Sequence, residues 1–206
     1  MSETFGRMFL DDALKTFRDY KALAEKACAQ ISDEEFFRAI DPEANSVAVV
    51  VKHMAGNMLS RWTDFLTSDG EKPWRERDAE FEVSADATRE ELMGLWERGW
   101  SCVFEAVEPL QAEDVGRKVL IRGEAHTVLE AVNRQLTHYA YHVGQIVLLA
   151  KHMRSAGWES LSIPKGKSQK FNAALGELAK EGRRAEGSRL APDPSVYSEE
   201  KKSENK

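Results

Sequence analysis

Residues 135–146 read QLTHYAYHVGQI and place two histidines, His138 and His142, four positions apart. The apolar residues around them recur every three or four positions, which is typical of an amphipathic α-helix. At about 100° per residue, both imidazoles fall in one narrow sector beside the apolar face of that helix. We therefore expect both rings to point toward the interior of the protein.

An inward pair of histidines at this spacing permits two interpretations. Neutral imidazole is the commonest protein ligand for divalent metals, and a four-residue spacing lets two nitrogens converge on one ion. Buried helical histidines also serve as ordinary packing residues that hydrogen-bond to a neighbour. A metal site needs at least one further ligand, so the choice depends on the rest of the sequence.

His53 is the candidate third ligand. It belongs to a second long helical segment, in which it shares a face with Asn57 and Asp64. A purely structural helix would keep such an inward face apolar, because buried polar groups cost free energy unless they find partners. The candidate metal-ligand set therefore consists of His53, His138 and His142.

The hydrophobic pattern of the whole chain predicts an all-α protein. Long amphipathic helices are expected at residues 9–31, 45–66, 88–108 and 127–152. A short helix at 34–40, a long loop up to about residue 85 and a small hairpin near 116–123 connect them. This pattern predicts a four-helix bundle with a small hairpin before the last long helix. We assign residues 1–172 to the bundle domain and 173–206 to a polar, disordered C-terminal tail.

Composition excludes several classes of function. The chain has 206 residues, of which 42% are hydrophobic, and a net charge of −6. The acidic excess lies in residues 1–150, which argues against a surface for nucleic acid. The chain has no run of about eighteen apolar residues and no N-terminal signal pattern. We therefore expect a cytoplasmic protein that contacts neither membranes nor nucleic acid.

The sequence also resembles a known family. The stretch SVAVVVKHM at residues 46–54 and the pattern HxxxHxxQ at residues 138–145 resemble the DinB/YfiT-like family of metal-binding four-helix bundles. That family has one histidine on its second helix and an HxxxH pair on its last helix, joined by long crossover connections. The stretches RGE at 122–124, YHVGQI at 141–146 and IPKGKS at 163–168 indicate in particular an uncharacterised bacterial subfamily. The resemblance covers residues 5–172.

The resemblance implies a cofactor and a type of reaction. It implies a divalent ion, zinc or nickel, held by His53, His138 and His142, with Gln145 orienting one of these ligands. It further implies a homodimer and a thiol-dependent transferase or isomerase that uses bacillithiol, mycothiol or glutathione. Three neutral ligands with one open position would lower the pKa of a bound water or thiol and supply a nucleophile near neutral pH.

We therefore hypothesise that a low-molecular-weight thiol and a small electrophile meet beside the metal, at a mouth formed by Asn57, Arg61, Asp64 and Trp74. The sequence identifies no catalytic residue. Two other functions stay open. The first is a non-catalytic stress-response or binding protein in which the ion staples two helices together. The second is a hydrolase in which metal-bound hydroxide attacks an ester or amide.

Overall fold

The computed structural model describes residues 3–182, which are mostly helical and include one two-stranded sheet. The helices are α1 (Glu3–Cys28), α2 (Asp33–Phe37), α3 (Val47–Trp62), α4 (Arg89–Val107), α5 (Val128–Arg154) and α6 (Ser168–Lys180). Strands β1 (Lys118–Ile121) and β2 (Glu124–Thr127) form an antiparallel hairpin. The chain divides into two compact units after Gly157.

One large aromatic ring from each of the four long helices lies in the core of the first unit. Phe17 of α1 lies 5.9 Å from Trp62 of α3, 6.2 Å from Trp100 of α4 and 5.8 Å from Tyr139 of α5, between ring centroids. All four rings are buried. Helix α3 packs against α4 and α5, and α1 packs against the same two helices. The shared aromatic core therefore fixes how the four helices are arranged.

A buried chain of hydrogen bonds connects α3 to α5. The indole N–H of Trp62 donates to the Tyr139 hydroxyl at 2.9 Å, and that hydroxyl donates to the Asn57 side-chain oxygen at 3.3 Å. An unpaired buried polar group costs more free energy than a made hydrogen bond gains, so this chain holds the two helices in one register. His138 directly precedes Tyr139, and His53 lies one turn before Asn57. The same register therefore brings the predicted ligands together.

Helix α3 ends four residues before the predicted position. Ser46 caps its start by accepting a hydrogen bond from the Val49 backbone N–H, as the sequence predicts. At the other end, Thr63 adopts extended backbone and Asp64 has a φ of +49°. Because residues 63–66 leave the helix, the side chain of Asp64 does not continue the face that carries His53 and Asn57.

The loop after α3 is attached to the hairpin. The Asp69 carboxylate accepts hydrogen bonds from the backbone N–H groups of Arg122 and Gly123, at 2.8 and 2.7 Å. Arg122 and Gly123 both have positive φ, which is the two-residue turn that fits the twist of a hairpin. The Gly70 N–H also donates to the Leu120 carbonyl at 2.8 Å. Loop and hairpin therefore form one structured segment.

The second unit contains helix α6, whereas the sequence analysis predicts a disordered tail from residue 173. Helix α6 continues to Lys180, and Phe171, Leu175 and Leu178 recur in it at helical spacing. The rest of the predicted tail, residues 183–206, lies outside the described residues. The domain boundary at residue 172 stays a prediction. No helix within residues 3–182 has the length and apolar character needed to cross a membrane.

Replacement of Tyr139 by Phe should lower the free energy of unfolding by about 1–3 kcal/mol, because the Trp62 indole N–H then lacks its buried acceptor. The matched control is Tyr141→Phe, at a tyrosine that is 64% exposed, which should change stability by less than about 0.5 kcal/mol. Urea unfolding of both variants measures the difference. Equal effects of the two substitutions would contradict this role of Tyr139.

Candidate metal centre

Helix α5 presents His138 and His142 side by side. The helix begins with a capping box, in which Thr127 accepts a hydrogen bond from the Glu130 N–H and Glu130 accepts one from the Thr127 N–H. From this fixed start, the four-residue spacing places both imidazoles on one face. Their Nε2 atoms lie 3.0 Å apart. Both side chains are half-buried.

Helix α3 brings His53 to the same point. His53 is buried, and its Nε2 lies 3.4 Å from the Nε2 of His138. The candidate ligand atoms of His53, His138 and His142 all lie within 4.8 Å of one another. Within residues 3–182, these three form the one such group among His, Cys, Asp and Glu side chains. The structure thus gathers the three histidines that the sequence analysis selects.

Hydrogen bonds set the proton positions on two of the rings. His53 Nδ1 lies 2.8 Å from a carboxylate oxygen of Glu80, and His142 Nδ1 lies 2.8 Å from the side-chain oxygen of Gln145. These oxygens accept, so each Nδ1 donates its proton and each Nε2 keeps a lone pair. His138 can donate at most one proton at its Nε2, so it cannot pair with both neighbours. A divalent cation would accept the lone pairs of all three nitrogens.

Glu80 is the principal site residue that the sequence analysis does not identify. It lies in a single 3₁₀ turn, Asp78–Phe81, within a loop that has no periodic pattern to reveal an inward carboxylate. Arg75 donates to both of its oxygens, from Nε at 2.7 Å and from Nη2 at 2.9 Å. Burial favours a higher pKa for Glu80, but the hydrogen bonds from His53 and Arg75 outweigh it and lower the pKa. Glu80 is therefore a buried carboxylate that orients His53.

The two histidines of α5 are neutral at physiological pH. Burial is the main cause that lowers the pKa of His138 to about 3, and the neighbouring His142 and His53 act in the same direction. Burial also lowers the pKa of His142, and the hydrogen bond that His142 donates to Gln145 only partly opposes this effect. Only a neutral imidazole has a lone pair to offer a metal. The environment therefore keeps both rings in the form that coordinates.

A cavity of about 830 Å³ is lined by all three histidines. Three of the other predicted site residues, Asn57, Arg61 and Gln145, also line it. Arg61 has strong structural partners as well, since it donates to the Gly70 carbonyl and forms an ion pair of 3.0 Å with Glu71. The cavity offers direct access from solvent to the histidines, and its volume suits a small molecule.

Two predicted mouth residues, Asp64 and Trp74, are not among the residues that line this cavity, and their role at its mouth stays a prediction. Asp64 lies past the end of α3 and lines a different depression, beside Cys102. Trp74 is 57% exposed, whereas the next residue, Arg75, points inward to Glu80. The Arg75 backbone N–H closes a turn with the Lys72 carbonyl at 3.0 Å, and from this turn the arginine side chain reaches the interior.

These features define a class: a mostly helical protein with a three-histidine candidate metal site that lines a cavity. The chain belongs to a family described as a protein of unknown function, DUF1572, whose model matches residues 4–167. The matched region contains all three histidines together with Glu80 and Gln145. Neither a curated protein nor a solved structure matches the chain.

The metal-free protein should lose stability as the pH falls from about 6.5 toward 4.5. His138 and His142 have lowered pKa values in the fold, so the unfolded chain takes up protons first and unfolding becomes more favourable. The contribution of these neutral histidines to the free energy of unfolding is fully present above the pKa of an unfolded histidine, and it decreases as the pH falls below that value. Replacement of His138 by Asn should flatten this dependence, whereas replacement of the exposed His152 should not. Urea unfolding across this range measures it, and an unaltered profile in His138→Asn would contradict the assignment.

Proposed function

We propose that this protein binds a divalent metal ion at His53, His138 and His142 and acts as a metal-dependent thiol S-transferase. The observation that carries the proposal is the convergence of the three Nε2 atoms. The Nε2 of His138 lies 3.0 Å from that of His142 and 3.4 Å from that of His53. A tetrahedral zinc ion with bonds of about 2.0–2.1 Å requires ligand nitrogens about 3.3 Å from one another. These two nitrogen pairs are therefore close to the zinc geometry, and the ligand atoms of all three histidines lie within 4.8 Å of one another.

The residues behind the histidines support a site built for a metal. Glu80 and Gln145 accept the Nδ1 protons of His53 and His142, which is the usual second layer of hydrogen bonds around metal-binding imidazoles. The Phe81 ring lies 4.7 Å from the His53 ring, between centroids, and restricts its rotation. Because these contacts already orient the imidazole rings, the chain would lose less conformational entropy when an ion binds.

Reactivity is proposed because one side of the cluster faces the cavity. Within residues 3–182, no cysteine or carboxylate joins the three histidines as a fourth ligand, and catalytic zinc sites keep a position open in this way. An ion held there lowers the pKa of a bound water or thiol and supplies a nucleophile near neutral pH. In a transfer to a haloaromatic compound, the sulfur–carbon bond forms, the carbon–halogen bond breaks, and halide and the thiol proton leave.

We also propose that the fold is a four-helix bundle of the DinB-like class. The packing of α3 and α1 against both α4 and α5, and the position of the histidines on α3 and α5, support this assignment. The choice between zinc and nickel, the homodimer, the identity of the thiol and the cytoplasmic location stay predictions.

The first experiment measures metal content in protein purified without an affinity tag. About one zinc or nickel ion per chain is expected, and His53→Ala and His138→Ala should each lose most of it, because two ligands bind far more weakly than three. His152→Ala is the matched control, since His152 is exposed and lies outside the cluster. The same metal content in all variants would contradict the proposed centre.

The second part of this experiment separates the possible functions. The metal-loaded protein is incubated with glutathione, cysteine or coenzyme A and a haloaromatic electrophile. Turnover by the wild type and its loss in His138→Ala support the transferase. Hydrolysis of an ester panel without any thiol would instead indicate a metal-assisted hydrolase, and metal binding without either activity would indicate a metal-stapled binding protein.

Replacement of Gly56 by Ala tests the link between Glu80 and His53 without touching either residue. A Cβ at position 56 would clash with the Glu80 carboxylate, so this carboxylate must shift, which disturbs its hydrogen bonds with His53 and Arg75. Metal affinity should fall by about 10–100-fold, as for other losses of a supporting hydrogen bond. Competition with a chromogenic chelator measures this affinity.

Gly144→Ala is the matched control for this substitution. Gly144 lies in α5 between His142 and Gln145, and a Cβ there would meet no atom within 4 Å. The control should keep its metal affinity and gain up to about 1 kcal/mol of stability from helix propensity. Equal metal affinity in both variants would show that Glu80 does not support the site.

A further inference from the structure

The cavity above the histidines has an unusual charge. Its lining includes five arginines and no carboxylate; the arginines are Arg61, Arg75, Arg77, Arg122 and Arg134. The chain as a whole carries a net charge of −6, so the positive lining is opposite in sign to the rest of the molecule. A concave site that is lined by charges of one sign attracts ligands that carry the opposite charge.

Three of these arginines have carboxylate partners behind the lining. The single carboxylate of Glu71 forms ion pairs with three guanidinium groups: those of Arg61 at 3.0 Å, Arg122 at 3.1 Å and Arg75 at 3.5 Å. Glu80 is the other acidic partner, and it also binds Arg75. These three arginines thus form ion pairs with two carboxylates, and a third carboxylate, Asp69, lies near Arg61 and accepts hydrogen bonds from the backbone of Arg122 and Gly123.

Arg134 adds a further positive charge. It is exposed on α5, and among residues 3–182 no acidic group forms an ion pair with it. It lies four residues before His138, which is one helical turn or about 6 Å along the axis. Arg77 lies over the Phe81 ring, 5.2 Å from its centroid, and forms an ion pair with Asp78 at 3.5 Å. Both side chains of this ion pair are open to water, so it neutralises little charge.

Two buried polar atoms in the same lining also lack partners. The Arg61 Nε and the Gln135 side-chain oxygen are both shielded from solvent and make no hydrogen bond to another described residue. Arg61 is 5% exposed and Gln135 is 3% exposed. Buried polar atoms are nearly always paired. A polar molecule bound in the cavity would supply the missing hydrogen-bond partners of both atoms.

We propose that the cavity binds a small molecule that carries at least two negative charges on carboxylate or phosphate groups. Arg134 and the guanidinium groups that share Glu71 hold these charges, about one helical turn from the histidines. A planar guanidinium with several N–H donors matches both kinds of oxyanion. The inference rests on the proposed function, because this anion is the part of the thiol or of the electrophile that positions it for reaction.

Calorimetric titration tests the proposal on the full chain, both metal-loaded and stripped of metal. The probes are tricarballylate, which has three carboxylates, and glycerol 3-phosphate, with glycerol as the uncharged control. We expect at least one anion to bind and glycerol not to bind. Arg134→Gln should weaken anion binding about tenfold through loss of a charge-assisted hydrogen bond, and Arg134→Lys should recover part of that loss.

Arg98→Gln is the matched control, because Arg98 is an exposed arginine on α4 that does not line the cavity. It should bind the anions as tightly as the wild type. Failure of both anions to bind, or equal weakening in the Arg98 and Arg134 variants, would overturn the proposal. Preference for tricarballylate would assign carboxylate chemistry to the site, and preference for glycerol 3-phosphate would assign phosphate chemistry.

The two forms of the protein separate this inference from the proposed function. The arginines belong to the chain, so anions should also bind to protein that has been stripped of metal. Anion binding without thiol turnover supports the inference and counts against the transferase. Thiol turnover without anion binding supports the transferase and overturns the inference.

Discussion

The hydrogen bond from His53 Nδ1 to Glu80 is the interaction on which the site depends. It fixes the proton of His53 on the outer nitrogen and directs the Nε2 lone pair toward His138. Glu80 is held by Arg75, and Arg75 also contacts Glu71. This chain of charges connects the loop after α3 to the ring at the centre of the cluster. A movement of the loop therefore changes the orientation of His53.

The aromatic core stabilises the helix packing, and the polar site holds the groups that could bind a ligand. The rings of Phe17, Trp62, Trp100 and Tyr139 hold the helices in place by burying apolar area. Above them, buried polar side chains are satisfied by one another or remain available to a ligand. Burial is the main cause that lowers the pKa of His138 to about 3, and the neighbouring histidines and the guanidinium groups of Arg75 and Arg61 act in the same direction, which keeps its lone pair free. The same positive surroundings attract anions, so the centre and the cavity wall complement each other.

The sequence predicts the parts of this site that lie on helices. Helical spacing alone aligns His138 with His142, and the polar face of α3 indicates His53. In a helix, the spacing of residues along the sequence determines the face on which each side chain lies. Arg134 follows the same four-residue spacing before His138, so that signal was present in the sequence and would have identified it. Helical spacing also places Gln145 beside His142.

Residues on loops could not be predicted in this way. Glu80 and Arg75 point inward because of the particular path of the chain from residue 63 to 88, and no periodic pattern encodes that path. Asp64 was assigned to the cavity on the assumption that α3 continues, but Thr63 and Asp64 leave the helix. The pattern around α6 predicts a frayed helix at most, because its three apolar positions are separated by Ala, Gly and polar residues.

X-ray absorption spectroscopy of the metal-loaded protein, at the edge of the bound metal, tests the central claim most directly. The account predicts three imidazole nitrogens about 2.0–2.1 Å from a zinc ion, plus one further ligand, which is an oxygen from solvent or a sulfur from a thiol. The signal of one imidazole should disappear in His53→Ala. A shell made only of oxygen atoms, or a spectrum that is the same in the wild type and in His53→Ala, would contradict the claim that these three histidines form a metal centre.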